Sequence, residues 1–149
     1  MSLIPTGTIR EITYAEGVCV RSDVLKPSPA KVVASIAQYQ DNSAIHFGAD
    51  VGGKLIAVAS FTPFAEDGSR DLTSYQLRGA ATRTDFQGKG IGRTLIATGI
   101  EACFQRGAAL VWCDGRSAAK TFYERLGFMS LGPEFDTSSG PHYRFRRSS

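Results

Sequence analysis

Gln87-Gly88-Lys89-Gly90-Ile91-Gly92-Arg93 sets three glycines within five positions, directly ahead of a segment whose apolar residues recur at helical spacing. Glycine loses more conformational freedom on folding than any other residue, so such a cluster needs a reason. One reason is close approach of the backbone to a ligand. The amides of residues 88 to 93 can converge on one point where a helix N-terminus contributes partial positive charge, which suits an anion. The other is a tight turn that lets the helix pack closely on a sheet. Lys89 and Arg93 add formal positive charge beside the turn. Two nucleotide motifs are excluded. A P-loop needs Gly-Lys-Ser/Thr, and Lys89 is followed by Gly90, which has no hydroxyl for magnesium. A dinucleotide fingerprint starting at Gly88 needs a small residue where Arg93 stands, and it should open the first strand-helix-strand unit of the chain.

Downstream of the turn, Ile91, Leu95, Gly99 and Ala102 form one stripe, widened by Ile96, Ile100 and Cys103, which predicts a helix over Ile91 to Arg106. Gly107 ends it. Ala108 to Asp114 reads as a strand buried on both faces. A second helix is predicted from Ser117 to Leu126, stopping at Gly127, with Ala118, Phe122 and Leu126 as its core stripe. Two closing strands, Phe128 to Leu131 and Tyr143 to Arg146, flank a loop rich in glycine and serine.

Upstream, Ser74 to Arg83 reads as a strand and Glu66 to Asp71 as a polar loop. Ala44 to Asp50 and Leu55 to Phe61 are apolar runs joined by Gly52-Gly53-Lys54, a hairpin signature. Residues 30 to 40 carry Val32, Val33 and Ile36 at helical spacing, and Pro27 and Pro29 break any helix before them. Thr8 to Ile12 is a short strand, followed to about Arg21 by a helix or an irregular turn. The order β-α-α-β-β-β-α-β-α-β-β describes an α/β domain with a mixed sheet.

Composition bounds the rest. A chain of 149 residues fits one domain and can bury a core without metal or disulfide staples. Hydrophobic residues at 42% and charged residues at 21% match globular averages and argue against a disordered or fibrous chain. No apolar run approaches the ~18 residues of a membrane span. Met1-Ser2-Leu3-Ile4-Pro5 has no basic region followed by an apolar stretch, so a cytoplasmic location is expected. A net charge of +3, spread along the chain apart from Arg144, Arg146 and Arg147, suits a solvated face or a phosphorylated small molecule; nucleic acid would leave a denser basic stripe. Cys19, Cys103 and Cys113 are odd in number and lack metal-ligand spacing, and apolar neighbours predict that Cys103 and Cys113 are buried reduced thiols.

Gln87, Gly90 and Gly92 match the Gln/Arg-x-x-Gly-x-Gly/Ala signature of the GNAT superfamily of acyl-CoA-dependent N-acyltransferases, which the chain resembles. Ala119, Tyr123, Gly127 and Phe128 match its second hallmark, Ala-x-x-x-Tyr-x-x-x-Gly-Phe. The resemblance is sharp from Tyr75 to Phe128 and looser outside that window. It implies a mixed, mostly antiparallel sheet flanked by helices, with a splayed central strand pair, in a single N-acetyltransferase domain.

By position, the resemblance assigns the diphosphate of acetyl-CoA to the amides of Gly88, Lys89, Gly90, Ile91, Gly92 and Arg93, beside Gln87. It assigns the pantetheine arm and the acyl carbonyl to the backbone of Ala80, Ala81 and Thr82. Gly79 in that strand marks a bulge or packing against a large neighbour. Tyr123 aligns with the tyrosine that many members set beside the sulfur, where a phenol of pKa ~10 can protonate the leaving thiolate. Ala119 falls in the same motif. Many members carry asparagine seven residues before that tyrosine, and this chain departs from the pattern with Arg116, a residue type able to bind a phosphate or a substrate carboxylate, so the asparagine's cofactor contact does not transfer directly.

The implied reaction is direct attack by a primary amine, of a small molecule or a protein, on the thioester. His46, Glu66, Asp71, Asp114, Glu134 and His142 have the chemistry to take the amine's proton. A route through Cys113 is disfavoured by its apolar flanks. Residues 27 to 43, 63 to 71 and 133 to 141 are expected to frame the acceptor site. The alternatives are an acyl-CoA-binding sensor on the same fold, or a module for another anion that uses the glycine turn alone. Family members are often dimers, so a homodimer is compatible with the resemblance, and no isolated apolar stripe demands one.

Overall fold

In the computed structural model, which describes residues 7–149, the chain runs β1 (Thr8–Glu11), α1 (Tyr14–Leu25), α2 (Pro29–Tyr39), β2 (Ile45–Val51), β3 (Lys54–Thr62), β4 (Ser74–Thr82), α3 (Ile91–Gln105), β5 (Leu110–Arg116), α4 (Lys120–Arg125), β6 (Met129–Thr137) and β7 (Gly140–Ser148). The segment Met1-Ser2-Leu3-Ile4-Pro5, read above for a leader, lies outside the described residues. Single turns of 3-10 helix at Thr84–Phe86 and Ser117–Ala119 precede α3 and α4. Among the described residues no helix is long and apolar enough to cross a membrane.

The strands form one sheet in the order β1-β2-β3-β4-β5-β7-β6, in which every neighbouring pair is antiparallel except β4 and β5. Side chains alternate across it. Ala57, Ala59 and Phe61 of β3 join the larger core with Leu95, Ile96 and Ile100 of α3, whereas Val58 joins a smaller core with Ile12, Val20 and Ala81 under α1. Helices therefore cover both faces.

Local chemistry sets the boundaries. Thr13 caps α1 by accepting from the Glu16 amide while the Glu16 carboxylate accepts from the Thr13 amide, a reciprocal pair that resolves the open choice after β1 in favour of a helix. Ser28 caps α2, whose first residue is Pro29, where the missing N–H is not needed. The helix α3 ends as expected, with Gly107 at φ 97°.

Two expectations are corrected. The closing strands are longer than predicted, because Thr137 to Gly140 forms a tight turn and the glycine- and serine-rich stretch is mostly β-hairpin. Phe122 does not belong to a core stripe: it is 36% exposed, and Tyr123 takes the inward position, stacked on Phe145 at 4.5 Å and edge-on to Phe128 at 5.9 Å. The helix α4 has only six residues and follows a 3-10 turn, so a phase counted from Ser117 at about 100° per residue goes astray.

Gly99 shows how closely α3 lies on the sheet. A Cβ there would overlap the ring of Phe61, which is fully buried. Gly99→Ala gains ~1 kcal/mol of helix propensity but overpacks a core that resists by ~1–3 kcal/mol. The expected result is a lower melting temperature by calorimetry. A variant that melts higher than the parent would show that the ring yields.

Candidate functional site

The parallel ladder between β4 and β5 has three residue pairs, Ser74 with Leu110, Tyr75 with Val111 and Gln76 with Trp112. Beyond them β4 runs on to Thr82 paired only with β3, and β5 runs on to Arg116 paired only with β7. The two strands splay, so each has a backbone edge without a ladder partner facing the gap. An unpaired edge is a template for hydrogen bonds with another extended group.

Ala80, Ala81 and Thr82 lie on that open length of β4, just past Gly79. Gly79 has φ 59°, and the register against β3 shifts between Val58 and Ser60, which makes a bulge. Both readings of this glycine hold. A Cβ on it would lie 2.6 Å from Arg21 Nε and 2.6 Å from the Tyr39 hydroxyl.

At the far end of β4 stands the glycine turn. Gly88 and Gly90 have φ of 77° and 79°, a left-handed conformation that side chains rarely adopt. A Cβ on Gly88 would meet nothing within 4 Å, and one on Gly90 only the Arg93 guanidinium at 3.9 Å. Close packing therefore explains neither. Gly92 differs, since its Cβ would sit 3.1 Å from Thr82 Oγ1. Gly90 occupies the cap position of α3 and offers no side-chain acceptor. Among the described residues, no backbone or side-chain acceptor meets the amides of Gly88, Lys89, Gly90, Ile91, Gly92 or Arg93. Lys89 and Arg93 are exposed and free of ion pairs among the described residues, with the Lys89 ammonium 5.5 Å above the Phe86 ring. Gln87, though exposed, folds back on the strand: its side-chain amide donates to the Thr82 carbonyl at 2.8 Å and ties the turn to the end of β4.

Tyr123 packs against β5 three residues past the last paired position, where a Cβ on Gly115 would collide with its ring. Burial raises its phenol above the ordinary value. Its hydroxyl makes no hydrogen bond to a described residue and is not among the sealed, unpartnered polar atoms. Ala119 is the half-buried cap position of α4. Arg116 ends β5, exposed and opposite His142 of β7.

The candidate proton acceptors are mostly engaged. Asp114 takes both Nε and Nη2 of Arg144, at 2.8 and 3.1 Å, and Glu66 holds Arg146 and Arg144. Asp71 caps Thr73, whose amide and hydroxyl lower its pKa. His142 contacts Thr137 and the Gly140 carbonyl within its hairpin, and Glu134 lies exposed on β6. The thiols are poor nucleophiles: burial pushes Cys103 up to about 12 and raises Cys113 as well. Of the segments expected to frame an acceptor, residues 29 to 39 are the helix α2 and residues 133 to 141 belong largely to the β6–β7 hairpin.

A cluster beside the bulge escaped the sequence reading. Arg21, on the buried side of α1 one turn after Gly17, lies with Tyr14, Tyr39, His46 and Ser60. An arginine in phase with Gly17, Val20 and Val24 was the available signal. His46 Nε2 donates to the Tyr39 carbonyl at 2.9 Å, which leaves Nδ1 to accept from the Ser60 hydroxyl at 2.7 Å. Desolvation by burial lowers its pKa, and the Arg21 charge adds to this. His46 is thus a neutral structural group with both nitrogens occupied. The unfolded chain binds its proton near pH 6.5 and the native state only at lower pH, so stability falls as pH drops through that window. The melting temperature is expected to decline from pH 6.5 to 5, and His46→Gln should flatten this slope. An unchanged slope would place the sensitivity elsewhere.

The comparisons with known proteins bear on the family and the fold. The model of the acetyltransferase (GNAT) family matches residues 13–128. An uncharacterized N-acetyltransferase of Bacillus subtilis (strain 168), YitI, is 28% identical over 128 residues, covering 86% of each chain. Among solved structures, Escherichia coli ElaA aligns with a TM-score of 0.79 at 16% identity over 95% of this chain and 99% of that one. An aminoglycoside 6'-N-acetyltransferase complexed with coenzyme A aligns at 0.73 and 14% identity, over 95% and 96%.

Proposed function

Because the chain belongs to the acetyltransferase (GNAT) family, and is an acetyl-CoA-dependent acyltransferase, we propose that it acetylates a primary amine of a small molecule or protein by direct attack on the thioester. The observation that carries the site assignment is the set of six acceptorless amides at residues 88 to 93 at the N-terminus of α3, with open space beside Gly88 and Gly90. A diphosphate fits there: it brings the acceptors that these amides lack and the negative charge that the helix end, Lys89 and Arg93 favour. The open edge of β4 from Ala80 to Thr82 would pair with the amides of the pantetheine arm, and Gln87 would hold turn and strand in register.

Acetyl-CoA, when bound, supplies an acyl carbon activated by a thiol leaving group. This chain's residues do the rest. Backbone N–H groups past the bulge would face the carbonyl oxygen, where negative charge develops during attack. The Tyr123 phenol, beside β5 at the splay, would deliver a proton to the departing sulfur. Arg116, at the rim, would meet a phosphate or an acceptor carboxylate. No residue is assigned as a covalent acyl carrier, since burial raises both inner thiols.

The test is calorimetric titration with acetyl-CoA followed by a thiol-release assay over a panel of amines. Binding with amine-dependent release supports acetyl transfer. Binding without release by any amine would favour an acyl-CoA sensor on the same fold. A stronger thermal shift with ATP or NAD than with coenzyme A would overturn the site assignment.

A further inference from the structure

Arg21 is a buried cation without a counter-ion. It is 6% exposed, and no carboxylate lies within ion-pair distance of it among the described residues. Its guanidinium sits 4.9 Å from the centre of the Tyr39 ring and 5.7 Å from that of Tyr14, and these two rings stack at 5.1 Å. Nη2 donates to the Ser60 hydroxyl, Nε donates to the Gly79 carbonyl at 3.1 Å, and Nη1, beside Gly17 and sealed from solvent, has no acceptor. Burying an unpaired charge with one orphaned donor is costly, and an apolar side chain of similar length would fill the same space at less cost. A purely structural role does not account for the charge.

Among the described residues, the backbone group to which this charge donates is the Gly79 carbonyl, at the bulge. Gly79 is held at φ 59° with its carbonyl turned toward α1, and Arg21 and Tyr39 occupy the space a Cβ would need. In a planar trans peptide the carbonyl and the following N–H point in opposite directions. Fixing the Gly79 carbonyl toward Arg21 therefore directs the Ala80 N–H away from α1. A cation on that carbonyl also polarises the peptide and makes its N–H a stronger donor.

We propose that Arg21 is a positioning residue that fixes and polarises the Gly79–Ala80 peptide, so that the Ala80 N–H is aimed at the thioester carbonyl oxygen of the acyl donor. Ser60, held by His46, sets the other end of the guanidinium. Arg21 touches neither donor nor acceptor and acts through the peptide alone. This rests on the reading that the donor lies along β4.

The test is isotope-edited infrared spectroscopy of acetyl-CoA labelled with carbon-13 at the acyl carbonyl, bound to the full chain and to Arg21→Met, Arg21→Lys and Ser60→Ala. In the parent, the carbonyl band should move to lower frequency than that of free acetyl-CoA. Arg21→Met should return it toward the free position, and Arg21→Lys, whose ammonium can still donate to Gly79, should fall between. Coenzyme A itself should bind all four within about threefold, so that only the preference for the acetylated form declines. A band identical in the parent, Arg21→Met and Arg21→Lys overturns the proposal and leaves acetyl transfer standing. Should Arg21→Met not fold, the Lys and Ser60→Ala bands decide in the same way. Failure of the parent to bind coenzyme A at all overturns the acetyl-transfer reading itself.

Discussion

Gly90→Asp is expected to leave the chain folded while weakening coenzyme A binding by about 10²–10⁴-fold, the loss of two hydrogen bonds to a charged group at ~1.5–3 kcal/mol each. Aspartate is among the few residues that tolerate the left-handed conformation of this position, so its φ of 79° can survive the change. The new side chain enters open space, with only the Arg93 guanidinium at 3.9 Å. Its carboxylate then places like charge where the proposed site would hold the diphosphate, beside the free amides at the start of α3. The left-handed backbone at this position costs an aspartate ~1 kcal/mol, so the melting temperature should fall by a few degrees at most. Binding is therefore expected to change far more than stability. Titration with pantetheine, which has no diphosphate, is the control, and its affinity should not change. Coenzyme A affinity equal to that of the parent would move the anion site away from this turn.

The signals legible in the sequence are those that act over short distances. Gly88 and Gly90 are required by their own φ angles, so the turn stands out before any fold is known. The stripe of α3 is likewise local, and its burial at Ile91, Leu95, Ile96, Gly99, Ile100 and Cys103 follows from one helix meeting one sheet. Gly79 was ambiguous for a physical reason: bulge and packing coexist there, and the partner, Arg21, is 58 residues distant. The phase of that arginine with Gly17, Val20 and Val24 is only a weak sign of burial, because a long cationic side chain on an apolar helix face usually carries its charge out to solvent. Tyr123 and Phe122 were exchanged because a 3-10 turn shifts the phase of a helix only six residues long. The hairpin reads as one loop in sequence because Gly132 and Pro133 fall where the β6–β7 register is interrupted and Ser138 and Ser139 form the turn itself, while the long-range pairing of β7 with β5 leaves no local signal.

Tyr123→Phe should keep coenzyme A affinity within about threefold and slow amine-dependent thiol release by about 10²-fold or more, the usual worth of a positioned proton donor. The ring contacts that fix this side chain, the stack on Phe145 at 4.5 Å and the edges of Phe122 and Phe128, are all retained by phenylalanine. The hydroxyl has no hydrogen bond to a described residue, so removing it leaves no partner unsatisfied and the fold should not weaken. What the substitution removes is the proton that the proposed reaction delivers to the sulfur. Burial raises the phenol above 10, so it remains protonated through the range in which amines become neutral, and Tyr123 deprotonation cannot set an alkaline limb below pH 10. The variant should therefore lower the whole pH profile without moving its acid limb, and the deficit should shrink with acyl donors whose thiol leaves without protonation. Thioesters of more acidic thiols test this directly. A uniform slowing across leaving groups would make Tyr123 a packing residue, and rates equal to the parent's would remove it from the reaction.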